Sequence, residues 1–193
     1  MTDIYISADI EADGPIPGKF SMLAFGLAVT AVFDGDVFTP RNPSEQTFYR
    51  ELKPITDDVE PAALKAARLD REALKRDGAE PEAAMRDALD WIATHAGDAD
   101  ARPVLVGYPV VFDWMFLYWY FIRFASESPF GFSSALDIKT IYQQKAQVTL
   151  DEAGRNDLPD ELQASHPHTH NALDDAIEQA EIFNRLWVWE ASG

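Results

Sequence analysis

The chain has no cysteine, few basic residues for its acid content, and no apolar run long enough to cross a bilayer. The first absence excludes disulfides, thiolate zinc sites and cysteine nucleophiles together, so any metal must be held by oxygen and imidazole. The second leaves 16 Lys and Arg against 33 Asp and Glu, a net charge of −17. Tight non-specific binding to duplex DNA needs clustered cations on phosphates, and this composition argues against it. It does not exclude an acidic site neutralised by divalent cations. The third absence concerns Trp114 to Phe124, the longest apolar and aromatic stretch. It falls short of the roughly 20 residues a spanning helix requires and reads as a buried helix. Met1 to Ile10 lacks the basic region and apolar run of a secretory signal, which points to a cytoplasmic protein with no membrane contact. What is present is 47% hydrophobic content in 193 residues, enough for one domain over 1–193.

Hydrophobic period gives the elements. Residues 3 to 11 alternate, with Ile4, Ile6, Ala8 and Ile10 on one side and Tyr5, Ser7, Asp9 and Glu11 on the other, as in a strand. Asp13 to Gly18 is turn chemistry, and Met22 to Phe33 is an apolar, β-prone second strand. Asp34-Gly35-Asp36 reads as a hairpin turn and Thr47 to Leu52 as a third strand, an antiparallel meander. Two or three helices fit residues 61 to 96, with Pro61 and Pro81 in first-turn positions and His95 beside Gly97 at the end. Pro103 to Gly107 reads as a strand, Asp113 to Phe124 as a helix, Ala135 to Ile138 as a strand and Lys139 to Gln147 as a helix. Val148 to Thr169 is polar loop, and a final helix runs from Ala172 to Trp189. This order predicts an α/β fold, a mixed central sheet flanked by helices.

Three segments carry chemistry. Asp9-Ile10-Glu11 ends the first strand, where side chains two apart share a face roughly 6–7 Å apart and can reach one metal cluster. Two carboxylates buried together require a cation or a proton. By itself the pair is a common feature of exposed strand ends. In the second segment an apolar strand passes through Gly107-Tyr108-Pro109 to Asp113, whose plainer role is to cap a helix. The aromatics from Trp114 to Phe124 are too many for one face and read mostly as core, although one near Asp113 could stack a base. The third segment is His170-Asn171-Ala172-Leu173-Asp174-Asp175. On a continuous helix His170 and Asp175 would stand about 140° apart, so they converge only if His170 is in the loop, as Pro167 suggests. Asp174 is the rival acid, its plainer role being a favourable charge near a helix N-terminus. His166, His168 and His170 alternate, yet without a separately placed ligand they read as solvated loop residues rather than a zinc site. Lys65, Arg68, Arg71, Lys75 and Arg76 form a basic group that could guide a phosphate backbone or be a solvated helix face.

Together, Asp9-x-Glu11, Phe112-Asp113 after a strand and Gly107, and His170-x-Ala172-x-x-Asp175-Ala176 resemble the DEDDh branch of the DnaQ-like exonucleases. The resemblance covers nearly the whole chain. Pro61 to Asp77 is similar to the helical segment that borders substrate in relatives, and Leu136-Asp137-Ile138-Lys139-Thr140 to the segment after the second motif. One departure is Tyr108-Pro109, where many relatives carry a His-Asn pair.

The resemblance implies a ribonuclease H-like fold and metal-dependent 3′→5′ exonuclease activity. Asp9, Glu11, Asp113 and Asp175 would hold two Mg²⁺ or Mn²⁺ ions, and His170 would be the general base, releasing 5′-mononucleotides. A histidine base must be neutral, and an intrinsic pKa near about 6.5 predicts activity rising toward mildly alkaline pH. Single-stranded DNA or RNA ends, or short oligonucleotides, suit the acidic surface better than long duplex. Related enzymes are often dimers, and Trp187-Val188-Trp189 offers either an apolar contact for a homodimer or core packing. The competing readings are a catalytically silent binding or interaction module on the same fold, and a ribonuclease H-like endonuclease.

Overall fold

The computed structural model describes residues 2–96 and 101–191. The alternating N-terminal segment forms β1 (Thr2–Ala12), which pairs antiparallel with β2 (Met22–Phe33). The Asp34 turn closes a hairpin from β2 into a short strand that the sequence did not announce, β3 (Phe38–Pro40). There Asp34 Oδ1 accepts from the Asp36 and Val37 N–H groups, and Gly35 takes φ 101°, which favours glycine. The expected third strand is β4 (Thr47–Glu51), which follows β3 along the same edge of β2.

Three helices follow, α1 (Pro61–Ala67), α2 (Arg71–Asp77) and α3 (Pro81–Ala96), as the composition of this stretch predicts. His95 Nδ1 lies 2.8 Å from the Trp91 carbonyl, and Gly97 is outside the described residues. The chain returns to the sheet as β5 (Ala101–Gly107), parallel to β1. It continues through α4 (Val110–Tyr120), a π turn at Phe121–Ala125, and β6 (Ala135–Asp137), parallel to β5. Then come α5 (Ile138–Ala146), a loop with two single 3₁₀ turns, and α6 (Ala172–Val188). The path across the sheet is β3-β2-β1-β5-β6, mixed in direction and covered on both faces. That is the mixed, helix-flanked sheet predicted from the element order.

Because both faces are covered, the two sides of β1 are both buried rather than divided between core and solvent. Ile4, Ile6, Ala8 and Ile10 join a core with Met85 and Ile92 of α3 and Phe116 and Tyr120 of α4. Tyr5 faces the opposite layer, where Val104 and Val106 meet Ile182, Phe183 and Leu186 of α6. At the end of α6, Trp187 stacks on Phe38 with centroids 4.5 Å apart, and Trp189 packs near Tyr142 at 5.8 Å. These two tryptophans are therefore core packing, and Val188 alone of the three is exposed. Among the described residues no helix is long and apolar enough to cross a membrane.

Candidate active site

The C-terminal end of β1 and the first turn of α6 meet because of one glycine. Gly26 of β2 is the cross-strand partner of Asp9, and a Cβ there would stand 2.4 Å from the Ala172 carbonyl oxygen and 2.5 Å from Leu173 Cα. Glycine lets the helix backbone rest directly on the sheet. Asn171 caps that helix, its Oδ1 accepting from the Leu173 and Asp174 N–H groups. Asp175 is thereby fixed against the strand. Ligand oxygens of Asp9, Glu11 and Asp175 all lie within 4.8 Å of one another.

Asp113 arrives differently from the sequence reading. It does not open the helix: α4 begins at Val110 after Pro109, and the Val110 N–H is accepted by Asp137 Oδ1 at 3.0 Å. With that role filled from outside the helix, Asp113 lies in the first turn, 5% exposed, and its Oδ1 accepts the Ile10 N–H at 3.1 Å. It therefore sits beneath the strand residue between Asp9 and Glu11. Gly107 permits this approach, since a Cβ would lie 3.1 Å from Asp113 Oδ2 and 2.9 Å from Val110 Cα. The Tyr108-Pro109 peptide is cis.

His170 lies in the loop, as its helical phase relative to Asp175 requires, and adopts φ 60°. Asp175 organises this loop: Thr169 N donates to its Oδ1 at 2.8 Å and His170 N to its Oδ2 at 3.1 Å. Asp174 accepts from Thr169 Oγ1 at 2.8 Å and faces His166, so it clasps the loop outside the acidic cluster. Among the described residues no hydrogen bond engages the His170 ring. The histidine run does have the separately placed ligand it lacked in sequence: one donor atom each of His168, His170 and Asp175 falls within 4.8 Å of the others. His166 is not part of that group.

Two residues that the sequence did not single out complete the surroundings. Arg155, in the polar loop, bonds Glu178 Oε2 at 2.8 Å and the Tyr108 carbonyl at 3.3 Å, and reaches His168 Nδ1. His168 Nδ1 is also 3.0 Å from Asp175 Oδ2. Gln179, one helical turn beyond Asp175, donates from Nε2 to Asp9 Oδ1 at 2.7 Å. The readable sign for both is polar residues at buried positions of α6, Glu178 and Gln179, which a solvent-facing stripe would not bury.

The expected basic group disperses. Arg71 is buried and ion-paired with Asp13 at 2.8 Å, while Lys75 and Arg76 pair with neighbouring acids. The cause is local: α1 ends at Arg68 in a left-handed conformation and α2 restarts at Arg71, so successive cations point different ways. Arg68 alone of them turns to the site, donating to the Thr169 carbonyl at 3.1 Å.

Negative charge is crowded here. Burial first, then Asp113, Asp175 and Glu11, hold the Asp9 carboxyl well above its ordinary range against the opposing pull of Arg155. Burial, followed by Asp175 and Asp113, pushes Glu11 up to about 8. Asp113 rises to about 7 through burial, despite the Ile10 and Asp113 backbone N–H groups that favour its charged form. The cluster opens into a cleft of about 460 Å³ that Lys139, Arg155, His168 and His170 also line.

Known proteins resemble this chain in sequence and in fold. Residues 27–187 match the family model of the Rv2179c-like 3′-5′ exoribonuclease domain. The 3′-5′ DNA exonuclease Cap18 of Escherichia coli is 36% identical over 184 residues, 95% of this chain and 91% of that protein. In fold, the nuclease domain of 3′hExo, a DEDDh family member solved with rAMP, superposes with a TM-score of 0.67 at 16% identity. That match covers 96% of this chain and 91% of the other. E. coli Exonuclease I in complex with a dT13 oligonucleotide gives a TM-score of 0.60 at 15% identity, over 97% of this chain and 40% of that one. With a ribonuclease H-like sheet beneath a cluster of carboxylates, the chain belongs to the Rv2179c-like family and is a 3′→5′ exonuclease.

Proposed function

We propose that the enzyme removes nucleotides from single-stranded 3′ ends or short oligonucleotides, using two divalent cations held by Asp9, Glu11, Asp113 and Asp175 and His170 as general base. The observation that carries this reading is the mutual approach of Asp9, Glu11 and Asp175 within 4.8 Å, with carboxyls driven toward the protonated form by burial and one another. Such a set fits hard cations, which take oxygen ligands and remove the repulsion; Mg²⁺ or Mn²⁺ suits it. Bound there, the ions would supply Lewis-acid charge that polarises the phosphodiester and eases deprotonation of the attacking water.

The chain's own residues account for the remaining steps. His170, its ring free of internal hydrogen bonds among the described residues and held beside Asp175 by its own backbone N–H, takes the proton of the water. The water oxygen bonds to phosphorus, the bond to the 3′ oxygen of the preceding nucleotide breaks, and that oxygen takes a proton from solvent, to which His170 returns the one it holds. The products are a 5′-mononucleotide and a chain one nucleotide shorter with a free 3′ hydroxyl. Single strands are favoured because the charge of −17 opposes a long duplex track, and a fold neighbour, E. coli Exonuclease I, holds a dT13 oligonucleotide.

The test is a time course on short 3′-labelled and 5′-labelled single-stranded DNA and RNA with Mg²⁺, Mn²⁺ or EDTA. Metal-dependent release of 5′-mononucleotides from the 3′ end, abolished in Asp9→Ala and strongly reduced in His170→Ala, is the expected result and gives the preferred sugar. Cleavage that survives a 3′-phosphate block would instead indicate internal cutting. No cleavage of either polymer by metal-loaded wild type would overturn the reading.

A further inference from the structure

Gln179 is fully buried, and its amide makes one hydrogen bond, from Nε2 to Asp9 Oδ1 at 2.7 Å. Its Oε1 is sealed from solvent and finds no partner among the described residues. An amide buried with its oxygen unpartnered is a poor choice for stability alone. An apolar side chain of the same length would remove the unsatisfied acceptor, and what it would take away is the donor on Asp9 Oδ1. Apart from Asp175 one turn earlier, the neighbours on the same stripe of α6, Ala172, Ala176, Ala180 and Phe183, are apolar and buried, so packing alone does not call for a polar residue here.

We propose that Gln179 is a positioning residue for the metal-binding carboxylate of Asp9. The inference rests on the reading of Asp9 as a metal ligand. Asp9 sits between Asp113 and Asp175, both of which disfavour its charged form, and Gln179 is the neutral donor that holds one of its oxygens. The carboxylate is thus aimed before any cation arrives, with the other oxygen free to bind it. The donor is rigid because α6 is anchored on Gly26 by backbone contact and carries Asp175 one turn earlier. A single helix therefore sets both acids relative to each other. Partners that orient a ligand in this way typically contribute about 10–100-fold to metal affinity.

The experiment compares wild type with Gln179→Met, which keeps side-chain length and apolar packing while deleting the donor. Calorimetric titration with Mn²⁺ is expected to show at least about tenfold weaker binding in the variant, with a cooperative melt in EDTA showing that the variant is folded. Activity measured against metal concentration should show the same rise in the half-saturating concentration, while KM for a short oligonucleotide at saturating metal stays the same. Metal binding equal to wild type in a folded Gln179→Met protein overturns the proposal and leaves Gln179 as packing. Absence of Mn²⁺ binding by wild type overturns the metal reading of Asp9 itself, a separate failure. A second measurement needs no substitution. In wild type the Gln179 side-chain NH₂ pair should exchange slowly with solvent and shift in a ¹⁵N spectrum when Mg²⁺ is added; a fast-exchanging, unresponsive pair overturns the proposal.

Discussion

Replacing Glu11 by glutamine is expected to stabilise the metal-free protein at alkaline pH and to change little at acidic pH. The Glu11 carboxyl is pushed from its ordinary 4.5 to about 8 by burial and then by the charges of Asp175 and Asp113, with Arg68 opposing. Between those values the folded protein holds a proton that the unfolded chain has released. The stability linked to that proton is fully present below pH 4.5 and is lost as pH rises through about 8. At about 1.4 kcal/mol per pH unit the whole displacement corresponds to about 5 kcal/mol. Glu11 is only half-buried, and solvent screening brings the expected effect down to about 2–3 kcal/mol. Glutamine carries no charge at either pH and avoids the loss. At roughly 2–4 °C of Tm per kcal/mol for a chain of this size, Glu11→Gln should melt roughly 5–10 °C above wild type at pH 8.5 in EDTA. The gap at pH 5 should be within about 2 °C. His168 acts in the opposite direction: burial and Arg155 lower its pKa, so its contribution is lost as pH falls, but it is common to both proteins and drops out of the comparison. Thermal melts of the two proteins at the two pH values make the test. A variant no more stable than wild type at pH 8.5, or equally stabilised at pH 5, would refute the crowding of charge around Glu11.

Three further outcomes follow from specific contacts. Gly26→Ala places a methyl 2.4 Å from the Ala172 carbonyl oxygen, so α6 must lift; destabilisation of about 1–3 kcal/mol is expected, with nuclease activity lost at temperatures where the variant is folded, and unchanged melting and activity would contradict the contact. Arg71→Ala strands Asp13, which is 0% exposed and also caps the Ser21 N–H; urea denaturation should show a loss of about 3–5 kcal/mol, and a loss under about 1 kcal/mol would mean the pair carries no such weight. Asp174→Asn and Asp175→Asn separate the adjacent acids: the first should retain activity within about threefold, whereas the second should lose on the order of 10²-fold or more, and the reverse ranking would exchange their assignments.

The parts of the site that were legible in the sequence are those set by local period. Strand alternation alone puts Asp9 and Glu11 on one face, and the mismatch between a five-residue spacing and about 3.6 residues per turn forces His170 off the helix that carries Asp175. What local period cannot supply is the identity of the group across the gap. Asp113 reads as a helix cap until the N–H it accepts turns out to belong to Ile10, 103 residues earlier. Arg71 reads as one of five clustered cations until it is found on Asp13, 58 residues away. Gln179 reaches Asp9 over a separation of 170. A conflict within the pattern is nevertheless visible in advance. The buried stripe of α6 is apolar at Ala172, Ala176, Ala180 and Phe183, and Asp175 and Gln179 interrupt it four residues apart. Burying a polar group costs stability unless it is paired, so a polar residue recurring on a core stripe at the helical period has a partner on the facing strand. Applied to α6, that rule points from Gln179 to Asp9, the acid on the facing strand whose Oδ1 accepts from its Nε2. It would have drawn Gln179 into the site from sequence, where Asp175 enters through its motif with His170.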